Sequence, residues 1–158
     1  IVERAKDYVY ITTPYLILDD AMETSLKNAA KAGVDVRILT PHIPDKKLVF
    51  EATRASYMPL LKAGVKIYEY TPGFVHAKMF VSDDKIATVG TANLDYRSLF
   101  LHFECGVLMY RSAAVSSVKA DFLETFKKCH RCSIAEMKRR SPFGKALAFV
   151  MKIIAPLL

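Results

Sequence analysis
The order of strand-like and helical runs constrains this chain more than any other feature. Tyr8-Val-Tyr-Ile-Thr-Thr13 reads as a buried strand, Val34 to Thr40 as a second, and Val65 to Tyr70, which alternates, as a third. A helical run from Ala21 to Ala32 separates the first two, with cap chemistry from Asp19 and Asp20 and a stop at Gly33. Helical periodicity from Asp45 to Lys62 separates the second and third; Pro59 marks a break or a restart at a first helical turn, and Gly64 ends it. Strands joined by helices of this length form βαβ units and a parallel sheet. After Gly73 the rhythm changes: Val75 to Val81, an Asp83-Asp84 turn and Ile86 to Val89 read as a hairpin with no room for a helix. A further strand fits Leu101 to Tyr110. Ser112 then caps a helix whose Val115, Val118, Phe122, Phe126 and Cys129 form one apolar stripe, read as core. The expected fold class is α/β, a mixed β-sheet with helices on both faces.

With 158 residues, 52% of them hydrophobic, the chain can bury a full core as one domain. The formal charge of +7 calls for an anionic partner but does not choose between nucleic acid, anionic lipid and a phosphorylated small substrate. Cys105, Cys129 and Cys132 are odd in number, which argues against a disulfide framework. The chain begins at Ile1, directly before a strand, as a fragment of a longer protein would. Lys145 and Lys152 interrupt the longest apolar stretch, so none reaches the roughly 20 residues that span a bilayer.

Chemistry concentrates around His76. In a strand, His76 and Lys78 point the same way with Phe80, so an imidazole and an ammonium share one surface. Thr91-Ala-Asn93 turns back beside them and brings an amide near, while Glu104 on the following strand is placed to hold the imidazole. A neutral imidazole can attack phosphorus, and an imidazolium can protonate a departing alkoxide; both tasks want a pKa near the working pH. Lys78 and Asn93 would donate to non-bridging phosphate oxygens, where charge must be stabilised. No metal or other cofactor is required. Asp83, at the hairpin turn on the far end of the strand, is expected to hold structure more than to touch substrate.

The run His76-x-Lys78-(x)4-Asp83-(x)6-Gly90-Thr91-x-Asn93 resembles the HKD motif of the phospholipase D superfamily, with its Gly-Ser/Thr-x-Asn extension. That resemblance implies a catalytic set of His76, Lys78, Asp83, Asn93 and Glu104, with Glu104 where the family places an acid that hydrogen-bonds the histidine. Substrate contacts are expected at Thr91, Tyr15 and Arg97, and attack by an imidazole on phosphorus would give a phosphohistidine intermediate. Four further stretches are similar to the carboxyl-terminal half of bacterial cardiolipin synthases. They are Thr13-Pro-Tyr-Leu16, Gly33 to Leu39, Ala63 to Tyr70 with Pro72-Gly73, and Ala87 to Ser98. Such enzymes join two phosphatidylglycerol molecules and release glycerol, and they hold two HKD motifs. The implied partners are therefore anionic phospholipid, a membrane surface and a second HKD half, in the same parent chain or by homodimerisation. The implied location is the bacterial cell membrane, with no nucleic acid expected. In that arrangement His76 would be the general acid, then the base.

Tyr15 and Pro44-Asp45 lie in loops after strands, where α/β sheets bind ligands, and loop or cap roles fit them equally. Arg97 meets phosphate or is simply exposed or ion-paired. His42, His102 and His130 lack motif support, and one Cys129-x-x-Cys132 without a second ligand pair is weak evidence for zinc. Residues 1–140 thus read as a phospholipase D-like domain. Residues 141–158 read as an amphipathic tail, with Lys145 and Lys152 on one helical face, suited either to a lipid interface or to packing on its own domain. Two competing functions remain open: a nuclease or phosphodiesterase completing its site by homodimerisation, and a non-catalytic membrane-binding module. The apolar tail opposes the first, and the intact His76, Lys78, Asn93 and Glu104 oppose the second.

Overall fold
The computed structural model describes residues 1–139 and residue 150. The expected tail, residues 141–158, lies outside the described residues apart from Val150. Seven strands form one sheet: β1 (Tyr8–Thr12), β2 (Asp35–Pro41), β3 (Lys66–Tyr70), β4 (Met79–Ser82), β5 (Ile86–Gly90), β6 (Gly106–Tyr110) and β7 (Cys129–Arg131), in the order β6-β5-β4-β1-β2-β3-β7. β1, β2 and β3 run parallel, as their helical crossovers require, while β4, β5, β6 and β7 pair antiparallel with their neighbours. The sheet is therefore mixed.

Alternation along β1 decides which helix covers which face. Val9 and Ile11 point into a core filled by Leu26 of α1 (Asp20–Lys31), Leu60 of α3 (Tyr57–Lys62) and Met137 of α5 (Ile134–Arg139). Tyr8 and Tyr10 point the other way, against Val115, Phe122 and Phe126 of α4 (Ala113–Phe126). Asp19 caps α1 by accepting from the Met22 N–H at 2.7 Å, and Gly33 follows the helix with φ +95°, a conformation that favours a residue without Cβ.

Several boundaries differ from the sequence reading. The long helical stretch is two helices, α2 (Lys47–Ala55) and α3, and it breaks at Ser56; Pro59 sits in the first turn of α3, where its missing N–H costs nothing. β4 begins at Met79, because its partner β1 ends at Thr12, opposite Met79. The segment carrying His76 and Lys78 thus runs past the ladder, joined to β5 by the Gly90 N–H donating to the Lys78 carbonyl. The expected strand from Leu101 starts only at Gly106; residues Arg97–Leu101 instead form a π-helical turn, closed by the His102 N–H on the Arg97 carbonyl. Ser112 stands at the start of α4, but its side chain makes no cap hydrogen bond. Cys129 belongs to β7 rather than to the α4 stripe, with its Sγ on the Thr125 carbonyl.

Candidate active site
Strand direction collects the site at one edge of the sheet. Thr12 at the end of β1 faces Met79 at the start of β4, Met79 faces Val89, and Gly90 faces Gly106. The segments after β1, before β4, after β5 and before β6 therefore meet at that edge. They carry Tyr15, His76 with Lys78, Asn93, and Glu104 respectively. Asp83 lies at the opposite edge, beside the start of β1.

His76 is exposed and Lys78 half-buried. The Lys78 Nζ lies 3.0 Å from both ring nitrogens of His76 and donates to the His76 carbonyl at 2.7 Å. Phe74 stacks on the imidazole with ring centroids 5.6 Å apart. Burial pushes the Lys78 pKa below the ordinary lysine range, against the opposing pull of the Glu104 and Asp95 carboxylates.

Asn93 is fixed from the turn that follows it. Its Nδ2 donates to Asp95 Oδ2 at 3.1 Å, and Asp95 Oδ1 accepts the Ser98 N–H at 2.7 Å, an i+3 cap that starts the π-helical turn. Because an ionised carboxylate only accepts, Asp95 determines which way the Asn93 amide points. The Asn93 Oδ1 is left buried without a partner among the described residues.

Glu104 is held differently from expectation. The Thr91 hydroxyl donates a short hydrogen bond to Glu104 Oε2, and the Cys105 N–H donates to the Thr91 Oγ1 at 3.0 Å. Thr91, then Ser98, stabilise the Glu104 carboxylate and bring its pKa below the usual range. No hydrogen bond joins Glu104 to the His76 ring among the described residues; its charge is felt at Lys78 instead. Gly90 makes this arrangement possible. A Cβ there would meet the Cys105 carbonyl oxygen at 2.7 Å and the Gly106 Cα at 2.9 Å, too close for any side chain.

Tyr15 donates to Asp45 Oδ2 at 2.5 Å, and burial followed by that hydrogen bond pushes its phenol up to about 12, so it stays a donor. Tyr15, Asn93, Asp95 and the exposed Arg97 line a cleft of about 360 Å³ with Lys46. At the far edge, Asp83 Oδ2 accepts the Lys6 N–H at 2.8 Å, and Oδ1 accepts those of Asp7 and Tyr8 at 3.0 and 2.9 Å. Burial raises its pKa, but the three amides outweigh this and hold the carboxyl below the usual range. Sequence reasoning missed Asp95, Ser98 and Phe74. The Asp95-x-x-Ser98 spacing was a readable capping signal, whereas nothing in the sequence announced the stacking of Phe74 on His76.

A family profile described as the cardiolipin synthase, phospholipase D-like domain matches residues 1–126. This chain belongs to that family. The cardiolipin synthase of Halalkalibacterium halodurans is 40% identical over 157 residues, covering 99% of this chain and 31% of that protein. The chain spans about a third of the length of the curated relatives it matches. Among solved structures, phosphatidylserine synthase from Haemophilus influenzae superposes with a TM-score of 0.79 at 14% identity, over 98% of this chain and 42% of that one. Nuc, a phospholipase D family member from Salmonella typhimurium, gives 0.71 at 16% identity, over 83% of this chain and 85% of that one. These two likenesses establish the fold.

Proposed function
We propose that this chain is one catalytic half of a cardiolipin synthase-type phosphatidyltransferase, acting on phosphatidylglycerol at a bacterial membrane surface. The observation that carries this reading is the contact of the Lys78 ammonium with the His76 imidazole, at the sheet edge that also holds Asn93. A histidine of a second half, in the same parent chain or from a second copy, attacks phosphorus, so a P–N bond forms as the P–O bond to glycerol breaks. His76 gives its proton to the departing glycerol oxygen. It then takes a proton from the acceptor hydroxyl as the new P–O bond displaces the second histidine, and cardiolipin is released. Lys78 and the second N–H of Asn93 donate to the non-bridging oxygens, where charge builds in the transition state. Glu104, clamped by Thr91, supports the positive charge of Lys78. These groups supply the proton and charge chemistry without a metal ion.

A second half is also favoured by what the site lacks on one side. Phe100, Leu101, Phe103, Val107 and Leu108, in β6 and the segment before it, are all exposed, which suits a surface that a second half covers. The reading is tested by His76→Ala in the complete protein, with vesicles of phosphatidylglycerol as substrate. Cardiolipin formation and glycerol release are expected to fall by about 10² to 10⁴-fold while the circular dichroism spectrum is unchanged. Wild-type turnover by a folded variant refutes the assignment.

A further inference from the structure
Polar bonds hold the loop after β2 out from the sheet edge where the site lies. β2 ends at Pro41 beside Tyr70 at the end of β3, so the loops that follow both strands leave that edge together. The His42 N–H donates to the Tyr70 carbonyl, and His42 Nδ1 lies 2.8 Å from Glu69 Oε2. Glu69 is buried, which is costly for a carboxylate unless it is paired, and Arg54 of α2 donates to both its oxygens at 3.0 Å. That cluster ties the start of the loop to the helix that follows it. Between them, Tyr15 donates to Asp45 at 2.5 Å. The loop is thus pinned at its start, in its middle and through α2, so the apolar side chains it exposes are held in that position.

Those side chains are Ile43, 50% exposed, and Leu48 in the first turn of α2, 58% exposed. Phe74, in the loop after β3, is 39% exposed although its ring stacks on His76. A single exposed apolar residue needs no explanation, but three on neighbouring loops, one of them touching the motif histidine, form a rim. Lysines stand among them. Lys46 and Lys47 are exposed beside Leu48, and Lys128, exposed after α4, joins the same rim because its carbonyl accepts from the Thr71 hydroxyl at 2.8 Å. The one acid between His42 and Leu48 is Asp45, which Tyr15 engages. Apolar side chains set among lysines suit the boundary between anionic headgroups and acyl chains, which takes up both at once. The rim lies away from the surface assigned to a second half: β6 and β2 are four strand spacings apart, about 19 Å across the sheet.

We propose that Ile43, Leu48 and Phe74, with Lys46, Lys47 and Lys128 around them, dip into the surface of an anionic phospholipid bilayer and set this sheet edge down on it. The proposal rests on the phosphatidyltransferase reading only in taking the substrate to be a lipid of that bilayer; it adds the face by which the protein sits on the membrane. In this orientation a phosphate held by Lys78 and Asn93 stays at headgroup depth, and the acyl chains leave past Phe74 without crossing water. The lipid then reacts without being extracted from the bilayer. Ile43, Lys47 and Leu48 bind the membrane and touch no reacting atom.

The test uses the complete protein and three variants: Ile43→Asp with Leu48→Asp, Lys47→Glu, and Lys85→Glu, which makes the same charge change at the exposed hairpin turn on the opposite edge. kcat/KM is measured on phosphatidylglycerol vesicles and on dihexanoyl phosphatidylglycerol dissolved below its micelle concentration. The double variant loses the apolar burial of two side chains, so it should fall about tenfold or more on vesicles and stay within about twofold of wild type on the dissolved lipid. Lys47→Glu should fall on vesicles at low salt, with the deficit shrinking as salt screens the headgroups, while Lys85→Glu follows wild type on both lipids. An equal fall on both lipids places the loop in the site or against a second half and overturns the proposal, as does an unchanged vesicle-to-monomer ratio in variants folded by circular dichroism. His76→Ala run alongside separates the two levels: if it turns over both lipids normally the underlying reading has failed, whereas an inactive His76→Ala with an unaltered ratio in the loop variants sinks this inference alone.

Discussion

Asp83→Asn separates the structural part of the motif from its chemistry. The Asp83 carboxylate accepts three backbone N–H groups, those of Lys6, Asp7 and Tyr8, between 2.8 and 3.0 Å. Asparagine offers one oxygen, so at least one of those donors would face an NH2 group, and all of them would lose a charged acceptor. Asparagine also tolerates the left-handed backbone at this position, φ +52°, so the substitution adds little backbone strain. Hydrogen bonds to charged groups contribute about 1.5–3 kcal/mol each, but Lys6 and Asp7 are open to water, which replaces most of what they lose. The net cost should be about 1–2 kcal/mol, a fall in Tm of roughly 3–8 °C for a domain of this size. The sign with pH follows from the depressed carboxyl: its stabilisation is present above the unfolded pKa and is lost as pH falls through the lower folded one. The gap between wild type and variant should therefore close in strong acid. Lys78 and Asp83 are five residues apart in sequence, a separation of about 16 Å along extended chain, so kcat well below the Tm should stay within about threefold of wild type. Thermal unfolding followed by circular dichroism, with cardiolipin formation measured at a temperature where both proteins are folded, decides it. A variant of unchanged stability that has lost turnover would mean that Asp83 acts on substrate.

Three further outcomes are expected. Lys78 must be protonated to hold phosphate, and burial lowers its pKa, so the KM for phosphatidylglycerol should rise with pH from below the ordinary lysine range; Lys78→Arg, although slower, should move that limb to higher pH, and an unmoved limb assigns it to another group. Treatment with EDTA followed by an activity measurement should leave turnover of the complete protein intact, and complete loss restored by zinc alone would bring Cys129 and Cys132 back as ligands. Deleting residues 141–158 should weaken co-sedimentation with anionic vesicles and leave the circular dichroism of the α/β core unchanged; if the domain unfolds, the tail was core packing, and unchanged binding ends the interface idea.

The parallel strands were legible because β1, buried on both faces, is a continuous apolar-rich run and β3, less buried on one face, alternates, while a capped helical stretch ended by Gly33 and another ended by Gly64 separate the three. What sequence could not supply was where ladders stop. Val75 to Lys78 has strand composition, yet pairing needs a neighbour, and β1 ends opposite Met79. Leu101 to Cys105 failed for a related reason: Asp95 captures the Ser98 N–H and winds the chain before it can extend. Of the motif residues, His76, Lys78 and Asn93 gather at one edge while Asp83 lies at the other, and their hydrogen-bond pairings were not legible from spacing. Glu104 was assigned to the imidazole because it lies on the expected strand after the hairpin, where the phospholipase D resemblance places an acid that hydrogen-bonds the histidine. With Gly90 packed on the Cys105 carbonyl, Thr91 is drawn in and takes the carboxylate first.

The same geometry gives the apolar surface around β6 a consequence for chemistry beyond association. Lys78 lies in a cavity of about 260 Å³ whose other walls include Glu104, Val107 and Leu108, with Val107 and Leu108 exposed. If a second half covers those side chains, water leaves the cavity and the effective dielectric around Lys78 and Glu104 falls. Two opposed effects follow. Desolvation alone would lower the Lys78 pKa further, while the attraction of the Glu104 carboxylate and of the incoming phosphate would grow. Phosphate adds negative charge beside the ammonium, so its binding should raise the Lys78 pKa. Assembly would then couple substrate binding to proton uptake, and the dependence of phosphate affinity on pH should be steeper in the complete protein than in the isolated half. Titration calorimetry with inorganic phosphate in two buffers of different ionisation enthalpy reads that proton directly. Uptake in both forms, or in neither, would mean that β6 association does not set the state of the lysine.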